Sequence, residues 1–531
     1  MKKEKLVTLA LTAAMTGTLL AGCGSSAGTT RQSGAAASAS SAVSAASAAS
    51  TETASASESG DSGEASLPDL DTSKEVELVM YVVSDRPAGQ DIVDENMNKI
   101  FKEKLNCTLK INWIGWAEFK QKYPMLYSSG EKFDMAYCAT WLNFTNLARK
   151  GAFRELNDLL PKYAPDNYAM QSQTALNQAS IDGKLYAVPT LLPTYSAKGA
   201  IYRGDIADEA GITDTIDTFD EVEKYCDYVV ANHPEMEPID IYSSGPDLSY
   251  MYAFSKGYMS ISNALFFDTN DASSKVTPIY DIDGMTDFYN KMKEWGDKGY
   301  WTKSALSDTD STKFQNGKAA LRFHNIDTYR EQYVLHPDWN IHFGTFNQNV
   351  AHLPYTQDCM VISNTSENPE RALALWNLLT TDQEAYDAFY YGILGTTYDL
   401  NDKGEYTILD TDLYNTNAMW AVRTKDLNRN QAGTPDDYNT IRDEWEKEID
   451  PKKGEEQYGS FVLDTSSITT EIAACTSANQ QYEWPLQLGY TNDVNASIQE
   501  YKDAIKAAGE DKVIEECQRQ LDAYRSANGI Q

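Results

Sequence analysis

Histidine is scarce in this chain, five in 531 residues, and His233, His324, His336, His342 and His352 show no metal-ligand spacing. No H-E-x-x-H, no G-x-x-x-x-G-K-[ST] and no G-x-G-x-x-G after the first strand is present, so zincin, P-loop and dinucleotide chemistry have no motif to rest on. Cysteine is nearly as sparse: seven residues, none in a C-x-x-C pair, leave no readable zinc or thioredoxin-like site. Basic residues are outnumbered, 45 Lys and Arg against 78 Asp and Glu, for a net charge of −33. That balance excludes nucleic acid and anionic lipid as partners, because both require basic surface. Long apolar runs are missing too. Leu6 to Leu20 is interrupted by Thr and Gly and falls short of the roughly 20 apolar residues a membrane span needs.

Two partial matches fail on context. Gly24-Ser25-Ser26-Ala27-Gly28 fits the nucleophile-elbow pattern but follows no strand. Asp281-Ile282-Asp283-Gly284 resembles the start of a calcium loop without its remaining ligands, and reads better as the entry to a helix. No carboxylate pair is marked out for glycoside hydrolysis. The sequence therefore implies no catalytic residue, no metal and no cofactor.

What is present begins with the leader. Lys2, Lys3 and Lys5 precede the short apolar run, which ends at Leu20-Ala21-Gly22-Cys23. This has the form of a secretory signal over residues 1–22, and its end resembles the bacterial lipobox, in which the cysteine is acylated and becomes the mature N-terminus. Two acyl chains hold a protein durably to a bilayer where one does not. Cys23 is thus the expected lipidation site, and the expected location is the extracytoplasmic face of the cell membrane. Residues 23–74 are dominated by Ser, Ala, Gly and Thr. Such a stretch cannot bury enough apolar surface to offset its ordering entropy, and as a coil it reaches roughly 35 to 40 Å.

The body from residue 75 onward reads as α/β. Val76–Val83 (VELVMYVV) is apolar on both faces, as a buried parallel strand should be. Val93, Met97, Ile100, Phe101 and Leu105 recur at helical spacing, Cys107 to Trp113 alternates, residues 117–127 read as a second helix, and Phe133–Cys138 as a third strand. The order β-α-β-α-β implies parallel strands with right-handed crossovers. Ligands of open parallel sheets bind at the carboxyl ends of the strands. Those ends carry Asp85, Trp116, Thr140 and Trp141. A second α/β region follows Pro193, with Thr218-Phe219-Asp220-Glu221 as a capping box. Met285 to Lys298 reads as a helix and Ala319 to Phe323 as a strand. Asn368-Pro369 opens a further helix, and the final stretch is helical. No internal repeat is evident.

Several segments in order resemble the bacterial extracellular solute-binding proteins of family 1, the receptors of ABC importers. These are Gly151 to Leu156 (GAFREL), Ile181 to Pro189 (IDGKLYAVP), Tyr202 to Ile212 (YRGDIADEAGI), Phe314 to Leu321 (FQNGKAAL) and Asn368 to Leu379. The end, Phe461 to Asn528, resembles a region of unknown function in the LipO-like branch. The resemblance implies a two-lobe, periplasmic-binding-protein-like (type II) α/β fold with a hinge, an interlobe ligand cleft and a C-terminal helical region. It places the first lobe at 75–192 and 355–400, and the second at 193–354 and 401–531. Tyr195 and Ser196 then fall in the first hinge segment. His324, Asn325 and Asp327 form a loop facing the cleft, and Trp484 is a closing residue. Each has a structural alternative: Tyr195 as hinge packing, Asp327 as a helix cap, Asp85 as the organiser of its own turn.

The implied function is a non-enzymatic, membrane-anchored, monomeric receptor that passes a small-molecule solute, an oligosaccharide first and a peptide or other polar metabolite second, to ABC permease transmembrane subunits. A surface glycoside hydrolase or lyase and an adhesion lipoprotein are the competing classes, and neither has a positive motif.

Overall fold

The computed structural model describes residues 70–530 apart from 117, 244, 263 and 416–418. The leader, Cys23 and the tether through residue 69 lie outside the described residues. In the first lobe, Val76–Val83 is flanked by Cys107–Ile114 and Met135–Cys138, both parallel to it. Register runs from Val76 opposite Cys107 to Val83 opposite Ile114. Leu78, Met80 and Val82 are fully buried, as the two-faced apolar run requires. The connecting helix, Gln90–Leu105, turns Val93, Met97 and Phe101 inward and ends at Asn106 in the left-handed conformation, whose N–H returns to the Lys102 and Phe101 carbonyls. Burying each such side chain contributes about 1.5–3 kcal/mol. The sheet is completed by Cys359–Ile362, antiparallel to Met135–Cys138, and then by Val188–Pro189.

The second lobe holds a four-stranded sheet in the order His342–Thr345, Gly199–Tyr202, Ala319–His324, Glu237–Ile239. Only the last two are parallel. The expected capping box is present on the Phe219–Asn232 helix: Thr218 Oγ1 accepts the Glu221 N–H at 3.3 Å, and the Glu221 carboxylate accepts the Thr218 N–H at 3.1 Å. Gly344 cannot be replaced, since a Cβ there would stand 1.9 Å from the Ile216 carbonyl oxygen. One face of the sheet packs on Trp295, Tyr300 and the C-terminal helices Val494–Ala507 and Glu510–Asn528, with Tyr501, Cys517 and Leu521 fully buried. The other face packs on Tyr329, Phe343, Tyr438 and Trp445.

The chain passes between lobes three times. The first passage lies between Pro189 and Gly199, the second between Thr345 and Cys359, and isolated bridges pair Tyr195 with His352 and Leu191 with Thr424. The third passage comes later than the sequence suggests. Residues after 400 do not leave the first lobe at once: Tyr406, Met419, Ala421 and Val422 belong to its core, and Tyr438 is the first large side chain in the second. The two-stranded ribbon Tyr398–Leu400 with Tyr406–Ile408 holds this segment back.

All six described cysteines are buried free thiols, Cys138 and Cys359 lying opposite one another on adjacent strands. Among the described residues, no helix is long and apolar enough to cross a membrane.

Candidate ligand cleft

The carboxyl ends of the first-lobe strands present an aromatic wall. Trp116 stacks on Trp141 with centroids 6.1 Å apart and planes at 27°, and on Trp420 at 6.3 Å and 29°. Phe119 meets Trp116 and Trp141 edge-on at 5.7 and 5.8 Å. Trp116 and Trp141 are 41% and 39% exposed, whereas Trp295 and Trp376 are fully buried core residues. Two large rings are thus left in contact with water and with each other at the surface.

Polar groups around the wall are tied down. Asp85 Oδ1 accepts the Trp116 N–H at 3.3 Å, and a Cβ on Gly115 would come within 2.6 Å of that oxygen. Thr140 donates to Gln357 Oε1 at 2.7 Å. The Tyr137 hydroxyl donates to Asp358 Oδ1 at 2.6 Å, and Arg423 donates to Asp358 Oδ2 at 3.1 Å and through Nε to the Trp420 carbonyl at 3.1 Å. Burial, then the Asp358 carboxylate, push the Tyr137 phenol up, so it stays a donor. This chain of bonds fixes Trp420 against the wall.

The second lobe contributes the end of Ala319–His324 and the start of the Ile326–Leu335 helix. His324 is pushed down to about 4 by burial, Lys198 and Arg322, so its ring is neutral, with Nδ1 2.6 Å from the Thr328 hydroxyl. Asn325 is the helix cap, its Oδ1 accepting the Thr328 N–H at 3.0 Å. Asp327 instead accepts the Tyr438 hydroxyl at 2.6 Å. Burial opposes its charge, but Arg330, Arg423 and Arg442 hold its carboxyl below the usual range. Arg423 belongs to the first lobe, where Asp358 holds it.

Two further carboxylates stand at the surface of the second lobe. Asp247 and Glu331 are open to solvent, yet desolvation raises both carboxyls above their ordinary values. Asp247 follows the Gly245 turn, and Gly245 lies against the Trp484 ring, a Cβ there reaching 3.1 Å from it. The π-turn Asn479–Glu483 precedes Trp484.

The structure places Asp85, Trp116, Thr140 and Trp141 at the strand ends of the first lobe, His324, Asn325 and Asp327 at the end of Ala319–His324 and the start of the following helix in the second, and Trp484 beside Gly245. Tyr195 and Ser196 stand in the hinge. The Tyr195 hydroxyl donates to Glu446 at 2.9 Å, and Ser196 donates to Glu455 at 3.2 Å and accepts the Ala351 N–H at 3.0 Å. Trp420, Asp358, Arg423 and Arg330 are not predicted from sequence. The available signal was Trp420 and Arg423 together in a segment, MWAVR, that fits no core periodicity. Among the described residues, no group of three or more His, Cys, Asp or Glu is placed to hold a metal ion. Flat aromatic faces flanked by fixed carboxylates, amides and guanidinium groups suit a hydroxyl-rich ring compound.

A profile of the bacterial extracellular solute-binding proteins matches residues 84–386, and one of a domain of unknown function matches residues 457–526. A carbohydrate ABC transporter substrate-binding protein of Streptococcus pneumoniae serotype 4 (strain ATCC BAA-334 / TIGR4) is 24% identical over 480 residues, 86% of this chain and 92% of its own. The crystal structure of the N-glycan transport solute-binding protein NgtS of S. pneumoniae is similar at a TM-score of 0.73 and 23% identity, covering 85% of this chain and 99% of that one. The S. pneumoniae substrate-binding protein FusA in complex with kestose is similar at 0.59 and 16%, covering 85% and 100%.

Proposed function

This chain belongs to the bacterial extracellular solute-binding protein family, a family of non-catalytic transport receptors, and from that premise we propose that its cargo is an oligosaccharide delivered to the transmembrane subunits of an ABC permease. The observation that carries the reading is the stack of exposed Trp116 and Trp141 at the strand ends with the half-buried Trp420 beside them. Sugar rings present C–H faces to such a wall while their hydroxyls meet side chains around it. Relatives named for carbohydrate, N-glycan and kestose support the same cargo class.

In this reading Trp116, Trp141 and Trp420 stack on successive sugar rings. Asp85, Thr140, His324, Asp327 and Trp484 contact hydroxyls or close over the ligand, and Asn325 serves through the helix it caps. Tyr195 and Ser196 govern the hinge. Lobe closure expels water and strengthens the polar contacts. Acylated Cys23 holds the monomer to the outer face of the membrane.

The test is a thermal-shift screen of residues 67–531 against oligosaccharides, peptides and small metabolites, followed by product analysis. Ligand at a hundredfold over Kd contributes about 2.7 kcal/mol of apparent stability. A shift with oligosaccharide and no product supports the proposal; a shift confined to peptides removes the sugar, and turnover removes the receptor. Cys23→Ser, expressed in a bacterium that lipidates such leaders, should move the protein from the membrane fraction to the medium.

A further inference from the structure

We propose that Glu446 is a pH-dependent staple on the hinge: it ties two paired passages to the second lobe through an imidazolium at His352, and releases them when that ring loses its proton. The inference concerns lobe motion and holds whatever the cargo is.

The first two passages run antiparallel where they meet. The Ser196 N–H donates to the Ala351 carbonyl and the Leu353 N–H to the Thr194 carbonyl, both at 2.8 Å, with Tyr195 opposite His352. One carboxylate reaches both strands. Glu446 Oε2 accepts the Tyr195 hydroxyl at 2.9 Å and lies 2.8 Å from His352 Nε2. It comes from the helix Asp436–Glu448, whose Tyr438 and Trp445 are seated in the second-lobe core. On the other side of the ring, Glu456 Oε1 lies 3.2 Å from Nδ1, and its Oε2 accepts the His352 N–H at 2.7 Å.

A ring between two carboxylates fits one protonation state. A neutral imidazole has one N–H to give and one lone pair, whereas an ionised carboxylate only accepts. The imidazolium alone donates to both. Once the proton leaves, one carboxylate faces a lone pair, and the one freer to turn into water moves. That is Glu446, whose side chain is 57% exposed against 15% for Glu456, which also keeps its bond from the backbone. Its departure unties Tyr195 as well, so both strands lose the helix together.

The other charges around the ring do not replace the proton. Glu455, bonded by Ser196 at 3.2 Å, adds a third carboxylate, and Asp443 acts on Tyr195. Arg442 stands over the Tyr195 ring at 5.5 Å, Lys425 acts on Glu446, and the Tyr355 ring lies 6.3 Å from the imidazole. Burial disfavours the imidazolium, but the bonds to Glu456 and Glu446 raise the His352 pKa. The staple is therefore in place below about 6.5 and is lost as pH rises through the raised value.

The experiment is a distance measurement between spin labels on the two lobes, in the ligand-free chain from residue 24 onward. Lys110→Cys on the Cys107–Ile114 strand and Lys224→Cys on the Phe219–Asn232 helix carry the labels; both positions are exposed, and the six native thiols are buried. The distance distribution should be at least about 1.5-fold wider at about pH 8.5 than at about pH 5.5. Glu446→Gln should give one width at both pH values, because its amide can donate to the ring or accept from it. Glu446→Ala should be wide at both. An unchanged width in the parent overturns the inference. So does a Glu446→Gln variant that keeps the pH response, which would assign it to Glu455, or a Glu446→Ala variant as narrow as the parent at low pH.

Discussion

Trp116 occupies the middle of the aromatic wall, with Trp141 on one side and Trp420 on the other. Removing it takes one ring from the proposed stack while Trp141 keeps its contacts with Phe119 and Tyr137, and Trp420 its contact with Tyr137. Trp116→Ala should weaken oligosaccharide affinity about 10- to 100-fold, or about 1.4 to 2.8 kcal/mol, by calorimetry; unchanged affinity would take the wall out of the site. Two of the three rings were legible because each follows a strand whose end the sequence marks, Cys107 to Trp113 and Phe133 to Cys138. Trp420 was not. It stands nearly three hundred positions further on, in a short 3-10 turn with no flanking periodicity. Only the delayed return of the chain, and the Arg423 bonds to Asp358 and to its own backbone, deliver it to the wall.

Among the elements, the hinge carries a compact charged group. His352 lies between Glu446, 2.8 Å from Nε2, and Glu456, 3.2 Å from Nδ1. Burial works against the imidazolium, but the hydrogen bonds to Glu456 and Glu446 outweigh it and raise the His352 pKa. Stability from this group is complete below about 6.5 and is lost as pH rises through the raised value. Burial pushes Glu455 up to about 7 despite its bond from Ser196. That stability too is complete below its unfolded value, about 4.3, and is lost as pH rises through about 7. The two effects share a sign. Chemical denaturation should therefore show the body losing stability as pH rises from about 4.3 to about 7, with a shallower loss in Glu455→Gln; an identical slope in the variant would remove Glu455 as a contributor. None of this was legible, because Glu446, Glu455 and Glu456 lie far along the chain from the hinge residues they grip. The capping box at Thr218 and Glu221 was legible, because it is local, three residues long in its logic and independent of the rest of the fold.

At the scale of the whole body, the C-terminal segment matched as a domain of unknown function does more than complete the second-lobe core. It also reaches the first lobe, where Asp464 pairs with Arg149 at 3.0 Å, Thr465 accepts from Asn146 at 3.3 Å, and the Gly459 carbonyl accepts from Gln178 at 2.9 Å. These contacts bridge the lobes, so weakening them should release lobe motion. Arg149→Glu, facing Asp464, should increase the radius of gyration of the ligand-free body in small-angle scattering. It should cost no more than about 1 kcal/mol of ligand affinity, since the pair is half in solvent. A scattering profile matching the parent would show that the bridge does not restrain the lobes. Two lobes and three passages were legible as a family pattern, while the place of the third was not: its delay depends on the ribbon around Tyr406 pairing within the first lobe.

Three strands of chain between two bodies also make a redundant tether. A protease that nicks one passage leaves two covalent links and the buried contacts of both cores, so the fragments should co-migrate on a native gel and part only in denaturant. A protein that works outside the cell, among enzymes that cut exposed loops, can thus be wounded at the joint and still close around its cargo.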